Sequence, residues 1–489
     1  MISYVELNNI NKRRLENMKP YTKKKKSNRC LIRSAIVLIL ILSHGISISI
    51  GMKAKEDVEK NVETSRIYYV SKTGNDYNPG TDLKPFKTIQ KAADVAIAGD
   101  TVYVKQGRYS EKVVIKNSGS PGMYITFAPY PGNTVTIDGT GLSMSSWQGL
   151  IHIYGKGYIK ISKFQIVNSP QAGIRADKSH HITIEKNYIY NIEKSPIKIG
   201  WGDSNNIIID GNIIDRPYKN SWSISYFAGW QEAISVSNTD TVEVKNNRVL
   251  RNGKGECIDL KDGTKHGKVY KNIVQHCSTV GIYIDAYAAP DQYDISVYQN
   301  TVRNASTGIM IAAEKGGTLR NIRVYNNLVY NNERPGILIS SYSLDGYQPK
   351  IYSVSIVNNI VDKSRVGIMI QKDTGGNMRV SNVVIRNNIV SNNRYGQIKI
   401  ETGYPYVQNL TIDYNLVYGF KGLNEKDGSN VIYADPKYTN AYTFDFRPRS
   451  GSPSVDKGSS NSAPRTDFRD FYRPQGVMYD IGAYEYNFQ

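Results

Sequence analysis

A parallel β-solenoid is the fold class this chain predicts, and three observations predict it. Asparagines recur at 187, 212, 247, 272, 300, 327, 359, 388 and 415, with spacings of 25 to 35 residues. Isoleucines keep the same register at 174, 197, 234, 258, 282, 309, 337, 368 and 398. The segments between them alternate with the two-residue period of strands rather than the helical period. A repeat of that length, one short strand set per unit, stacks identical positions at about 4.8 Å per coil. The isoleucines are expected as a core file and the asparagines as an internal amide ladder. Composition agrees: only 21% of the 489 residues are charged, glycine is frequent (41), and tyrosine (37) far outnumbers phenylalanine (10). That excludes a coiled coil and a disordered chain.

Residues 1–33 hold ten basic side chains and two acidic ones, Glu6 and Glu16, and the apolar run Ala35 to Leu42 follows. Basic, then apolar, then small residues ending at Ser49-Ile50-Gly51 is the order of a secretory signal. Residues 1–51 are therefore expected to be a cleaved signal peptide or an uncut N-terminal anchor, and residues 52–66 a charged linker. The solenoid is expected over 67–425. Its first end is capped by one helix, in which Ile89, Ala92, Ala93, Ala96 and Ile97 share a face and Gly99 is the stop. The irregular segment 426–489 is expected to cap the other end. Cys30 lies in the targeting segment; Cys257 and Cys277 could pair, but free or semi-buried thiols are the favoured expectation.

The residue after each stacked isoleucine faces outward, as does the one two further on. Those columns read Arg175, Lys198, Ser235, Asp259, Tyr283, Met310 and Asp177, Gly200, Ser237, Lys261, Asp285, Ala312. Ionisable groups gather in the middle: Lys198, Asp259, Lys261, Tyr283 and Asp285, with Glu232 and Glu256 just before their strands. The longest interval, 35 residues, carries its surplus as the stretch Arg216 to Trp230. Trp222, Tyr226, Phe227 and Trp230 in it are candidates to stack on sugar rings. Basic residues are scattered among acidic ones rather than gathered in a stripe, which argues against nucleic acid. A polymer bearing carboxylates suits such a surface.

The opening YYVSKTGNDYNPGTDLKPFKTIQKAADVAIAGDTVYVKQGRYSE and the closing DFRPRSGSPSVDKG and DIGAYEY resemble the secreted right-handed parallel β-helix proteins that include the polysaccharide lyases. The resemblance spans nearly everything after residue 66. It implies β-elimination on a uronate polymer, in which a base removes the C5 proton, a cation neutralises the carboxylate and an acid protonates the leaving oxygen. The calcium-dependent pectate lyases of this fold carry an Asp-Asp pair and an aspartate cluster, absent here. The Asn-Thr-Asp of polygalacturonases occurs as Asn238 to Asp240 without its partners, and the Asp-Pro-His-Asp of mannuronan epimerases is missing. SYFAGW and ECIDLKDG resemble the tyrosine/lysine alginate lyases, which implies Tyr226 as acid and Lys261 as base, with Tyr283 the other candidate donor. Lys198, Glu232, Glu256, Asp259, Tyr283, Asp285, Trp222, Trp230 and His266 are the expected substrate contacts. Glu232, Glu256 and Asp259 could supply oxygens to a Ca²⁺ ion or equally form ion pairs with the lysines, and catalysis is expected not to need a tightly held Ca²⁺. The expected function is alginate cleavage by a monomer, the alternatives being pectate or polygalacturonate cleavage and non-catalytic glycan binding.

Overall fold

The computed structural model describes residues 65–487, apart from Trp201, 217–231, Lys254, 342–345, 372–377, 402–406, Asn424 and Asp427. The expected targeting segment and most of the linker fall outside the described residues, as do Trp222, Tyr226, Phe227 and Trp230. Among the described residues the chain winds through three parallel sheets of 13, 11 and 13 strands, followed by one antiparallel pair, Tyr438–Asn440 with Asp445–Pro448. Each coil contributes one strand to each sheet in turn, which is a parallel β-helix. No helix among these residues is long and apolar enough to cross a membrane.

Both files read from the sequence are present. Ile174, Ile197, Ile234, Ile258, Ile282, Ile309, Ile337, Ile368 and Ile398 are direct partners down the 11-stranded sheet. All nine are buried, and each is worth about 1.5–3 kcal/mol relative to an exposed side chain. The asparagines form one unbroken ladder. In each step one amide Nδ2 and the same residue's backbone N–H both donate to the Oδ1 of the next asparagine, at 2.9–3.1 Å from Asn187 through Asn415. The Nδ2 also reaches a strand carbonyl one coil back, as from Asn300 to Val269 at 2.8 Å.

Why asparagine so often comes in pairs (246–247, 326–327, 358–359, 387–388) follows from the corner. The first member turns the chain with φ between 51° and 54°, a left-handed conformation that asparagine tolerates better than most side chains, and so aims the second inward.

The first cap is about two turns of helix, Ile89–Val95, shorter than its apolar pattern suggested. Thr88 Oγ1 accepts from Lys91 N at the start, and Ala96 is already extended. The helix ends there because Asp100 Oδ2 takes the Ile97 N–H and turns the chain before Gly99 is reached. At the far end, Ile432–Tyr433 pairs with Leu416–Tyr418 and completes the last coil. The rest of the tail is the irregular cap with its antiparallel pair, and it also runs back along the corner asparagines: Asn387 Nδ2 donates to Ser459 O, Asn358 to Asp480 O and Asn326 to Thr466 O, while Gln299 reaches Asp467 O and Lys271 pairs with Asp470. Tyr438, Phe446, Ile481 and Tyr484 pack on Tyr330, Ile360, Ile389 and Leu416 of the neighbouring sheet.

One expectation is corrected outright. Cys257 and Cys277 are joined in a disulfide, with Cα atoms 5.8 Å apart. Consecutive coils bring the two into contact although twenty positions separate them, which a reading by single strands does not show. Such a bond belongs to an oxidising compartment. Replacing both by serine is expected to lower stability by about 3 kcal/mol, read as a lower urea midpoint, because it frees the unfolded chain of a loop of that size.

Candidate active site

The 11-stranded sheet presents the two outward columns in the predicted register. Arg175, Lys198, Ser235, Asp259, Tyr283 and Met310 are successive partners, as are Ser237, Lys261, Asp285 and Ala312. Outward does not mean solvated, however. Asp259 is 2% exposed, Asp285 6% and Tyr283 7%, so these polar groups are covered and their charges matter to one another.

At the centre lies Lys261. Its Nζ contacts Glu232 Oε1 and stands 3.2 Å from Asp259 Oδ2. Burial opposes its charge, but Asp259 and Glu232 together outweigh burial and hold it above the ordinary lysine range. Lys198, three coils from Tyr283, is the opposite case. Its Nζ lies 3.3 Å from Ser235 Oγ, a neutral partner. Burial lowers its pKa; Glu232 opposes this, while the charges of Lys261 and Arg175 add to it.

The carboxyls divide in the same way. Glu232 is lowered because Lys261 and Lys198 overcome the effect of burial. Asp259 and Glu256 are raised, first by burial and then by neighbouring negative charge. Burial, with Glu314 nearby, pushes Asp285 up to about 8. Tyr283 is raised by burial and by Asp285 and Glu314, and its hydroxyl donates to Glu314 Oε1 at 2.7 Å. Glu256 accepts from Thr279 Oγ1 at 3.1 Å. Glu256 Oε2 and Asp259 Oδ1 are buried with no hydrogen-bond partner among the described residues.

His266 does not join this cluster. It opens a strand of a different sheet, with Nδ1 2.6 Å from Asp240 Oδ1 and Nε2 3.6 Å from Asp294 Oδ2. Arg175 does join it, although sequence reasoning did not count it as a site residue. It is buried, its Nε donates to Asp177 Oδ2 at 2.5 Å, and its guanidinium carbon lies 5.4 Å from the centre of the Trp147 ring. The signal available was its place at the head of the outward column. The candidate Ca²⁺ ligands do not fit a cation as they stand. The Lys261 ammonium occupies the space between Glu232 and Asp259, and no group of three His, Cys, Asp or Glu among the described residues is arranged to hold a metal ion.

These features match a described class of fold. Residues 68–221 match the family model described as Pel9A-like, right handed beta helix region, and residues 149–311 and 225–352 match the right handed beta helix region. The chain is a right-handed β-helix protein. It is 30% identical to the uncharacterized protein YwoF of Bacillus subtilis over 477 residues, covering 85% of this chain and 98% of that one, and it belongs to the same family. It is also 29% identical over 178 residues to pectate lyase PEL9 of Emericella nidulans, covering 33% of this chain and 42% of the relative. Among solved structures, XylC in complex with xylose superposes with a TM-score of 0.54 at 14% identity, covering 86% of this chain and 99% of that one. Pectate lyase Pel9A gives 0.52 at 14% identity, covering 87% and 97%. These two likenesses concern the fold alone.

Proposed function

We propose that the chain cleaves a uronate polymer by β-elimination, and that its substrate is of the polygalacturonate class rather than alginate. The carrying observation is the pair of buried lysines on one face, Lys261 against Glu232 and Asp259 and Lys198 against the neutral Ser235 Oγ, with pKa values shifted in opposite directions. In this reading the roles expected from sequence change hands. Lys261 stays charged and neutralises the substrate carboxylate, whereas Lys198 is the base that takes the C5 proton. Electrons from the broken C5–H bond form the C4–C5 double bond as the C4–O bond breaks, and the leaving oxygen takes its proton from solvent. Tyr226, the donor expected from sequence, lies outside the described residues.

The preference for galacturonate is supported by the Pel9A-like match over 68–221 and by the PEL9 relative. The test is to incubate the protein with polygalacturonate, alginate and its two block types and to follow unsaturated products by ultraviolet absorbance. Product from polygalacturonate alone is expected; product from alginate alone moves the substrate to the class first expected, and saturated ends replace elimination by hydrolysis. Activity is expected to survive a chelator with less than a twofold loss, because Lys261 stands where a cation would have to bind. Complete loss restored by Ca²⁺ would overturn that.

A further inference from the structure

Both lysines of the site lean toward the same coil. Lys198 is the direct partner of Ser235, and Lys261 of Ser237, so the coil that carries the two serines lies between the coils of the two lysines. Glu232 stands on that middle coil, just before its strand Ile234–Ser237. From one side Lys198 Nζ reaches Ser235 Oγ at 3.3 Å, and from the other Lys261 Nζ contacts Glu232 Oε1. Glu232 is buried, and after burial itself its carboxylate is the largest influence on Lys198. The two ammonium groups in turn keep Glu232 ionised against its burial.

No other charge around the pair takes its place. Asp259 stands 3.2 Å from Lys261 Nζ, but burial opposes its charge, as it opposes those of Glu256 and Asp285. Asp262 favours the charge of Lys261 less than Asp259 or Glu232 does. On the other side of Lys198 the next outward residue is Arg175, which is engaged by Asp177 and whose charge works against a second cation beside it. A lysine buried with no counter-ion sheds its proton far below the ordinary range and is then a weak acceptor, because proton transfer is most efficient when the pKa of the base lies near the working pH.

We propose that Glu232 is the positioning residue of the pair: one carboxylate shared by two ammonium groups, which tethers Lys261 as the fixed cation and keeps Lys198 basic enough to take a proton. This rests on the elimination reading above and adds what divides the two lysines between their roles.

Glu232→Gln removes the charge and keeps the shape. Lys198 then gives up its own proton more readily, so the rise of kcat on polygalacturonate is expected at a pH about one unit or more lower, onto a lower plateau. Glu232→Asp restores the charge and is expected to return the rise to its original pH. A residue that only supported the fold would lower the rate at every pH and leave the position of the rise alone; that result, or a rise displaced to higher pH, would overturn the proposal. The second readout is independent of turnover: the Lys198 side chain is titrated by NMR on protein carrying isotope-labelled lysine, its signal assigned through Lys198→Arg. Its midpoint is expected to fall in Glu232→Gln together with the rise in rate. A midpoint indifferent to Glu232→Gln would overturn the proposal, whereas a lowered midpoint with an unmoved rate profile would sustain Glu232 and remove Lys198 as the base.

Discussion

Lys198→Ala is expected to lower kcat on polygalacturonate by about 10²- to 10⁴-fold, the usual loss when a general base is removed, with little change in the urea midpoint. Lys198→Arg is expected to be nearly as inactive, since a guanidinium does not give up its proton. The pH profile supplies the sign. The base works deprotonated, so the rate climbs as pH rises through the depressed pKa of Lys198. A rise to a plateau is the expected shape, and Lys198→Ala should lose that rise. Normal turnover in Lys198→Ala would return the base to Lys261.

The second large effect concerns folding. Asn300→Ala is expected to cost about 3–5 kcal/mol. It strips the Asn272 amide and backbone N–H of their acceptor and removes the side-chain donor to Asn327 Oδ1 and to Val269 O, leaving Asn327 Oδ1 the backbone N–H of residue 300, all in the dry interior. An unmade bond at a buried group costs about 1–3 kcal/mol, and several are lost at once. Asn300→Asp should be no better, because it keeps the acceptor and removes the Nδ2 donor. The drop is read by urea unfolding, and a loss below 1 kcal/mol would show the ladder to be dispensable.

The fold was legible because its two files are local in register: a period in asparagine and isoleucine is also a period in space. The site was legible only in part. The outward columns gave Lys198, Asp259, Lys261, Tyr283 and Asp285 correctly as neighbours, since alternation along a strand fixes the face. Their protonation was not legible, because it depends on cover that comes from other coils. Lys261 reads as a candidate base until Glu232 is seen against its ammonium, and that contact spans two coils. The same holds for the disulfide and for His266, whose corner sends it to another sheet. The aromatic stretch before Glu232 lies outside the described residues, so its part in the site rests on sequence.

The returning tail changes what kind of cooperative system the solenoid is. A stack of repeats in which each coil touches only its neighbours unfolds as a one-dimensional chain, fraying from whichever end is weaker. Here the residues that turn the chain at five successive corners, Lys271, Gln299, Asn326, Asn358 and Asn387, are all bound by the last thirty-odd residues. Opening any one of those coils disturbs a segment that the other four also hold. The fastening is itself locked, as Arg473 is buried against Glu485 and also donates to Asn326 Oδ1. Because this segment follows all five coils in the sequence, coils that could propagate one by one during synthesis are clasped together only once it has been made. A protease that removes the tail would convert one all-or-none unit back into a row of loosely coupled ones.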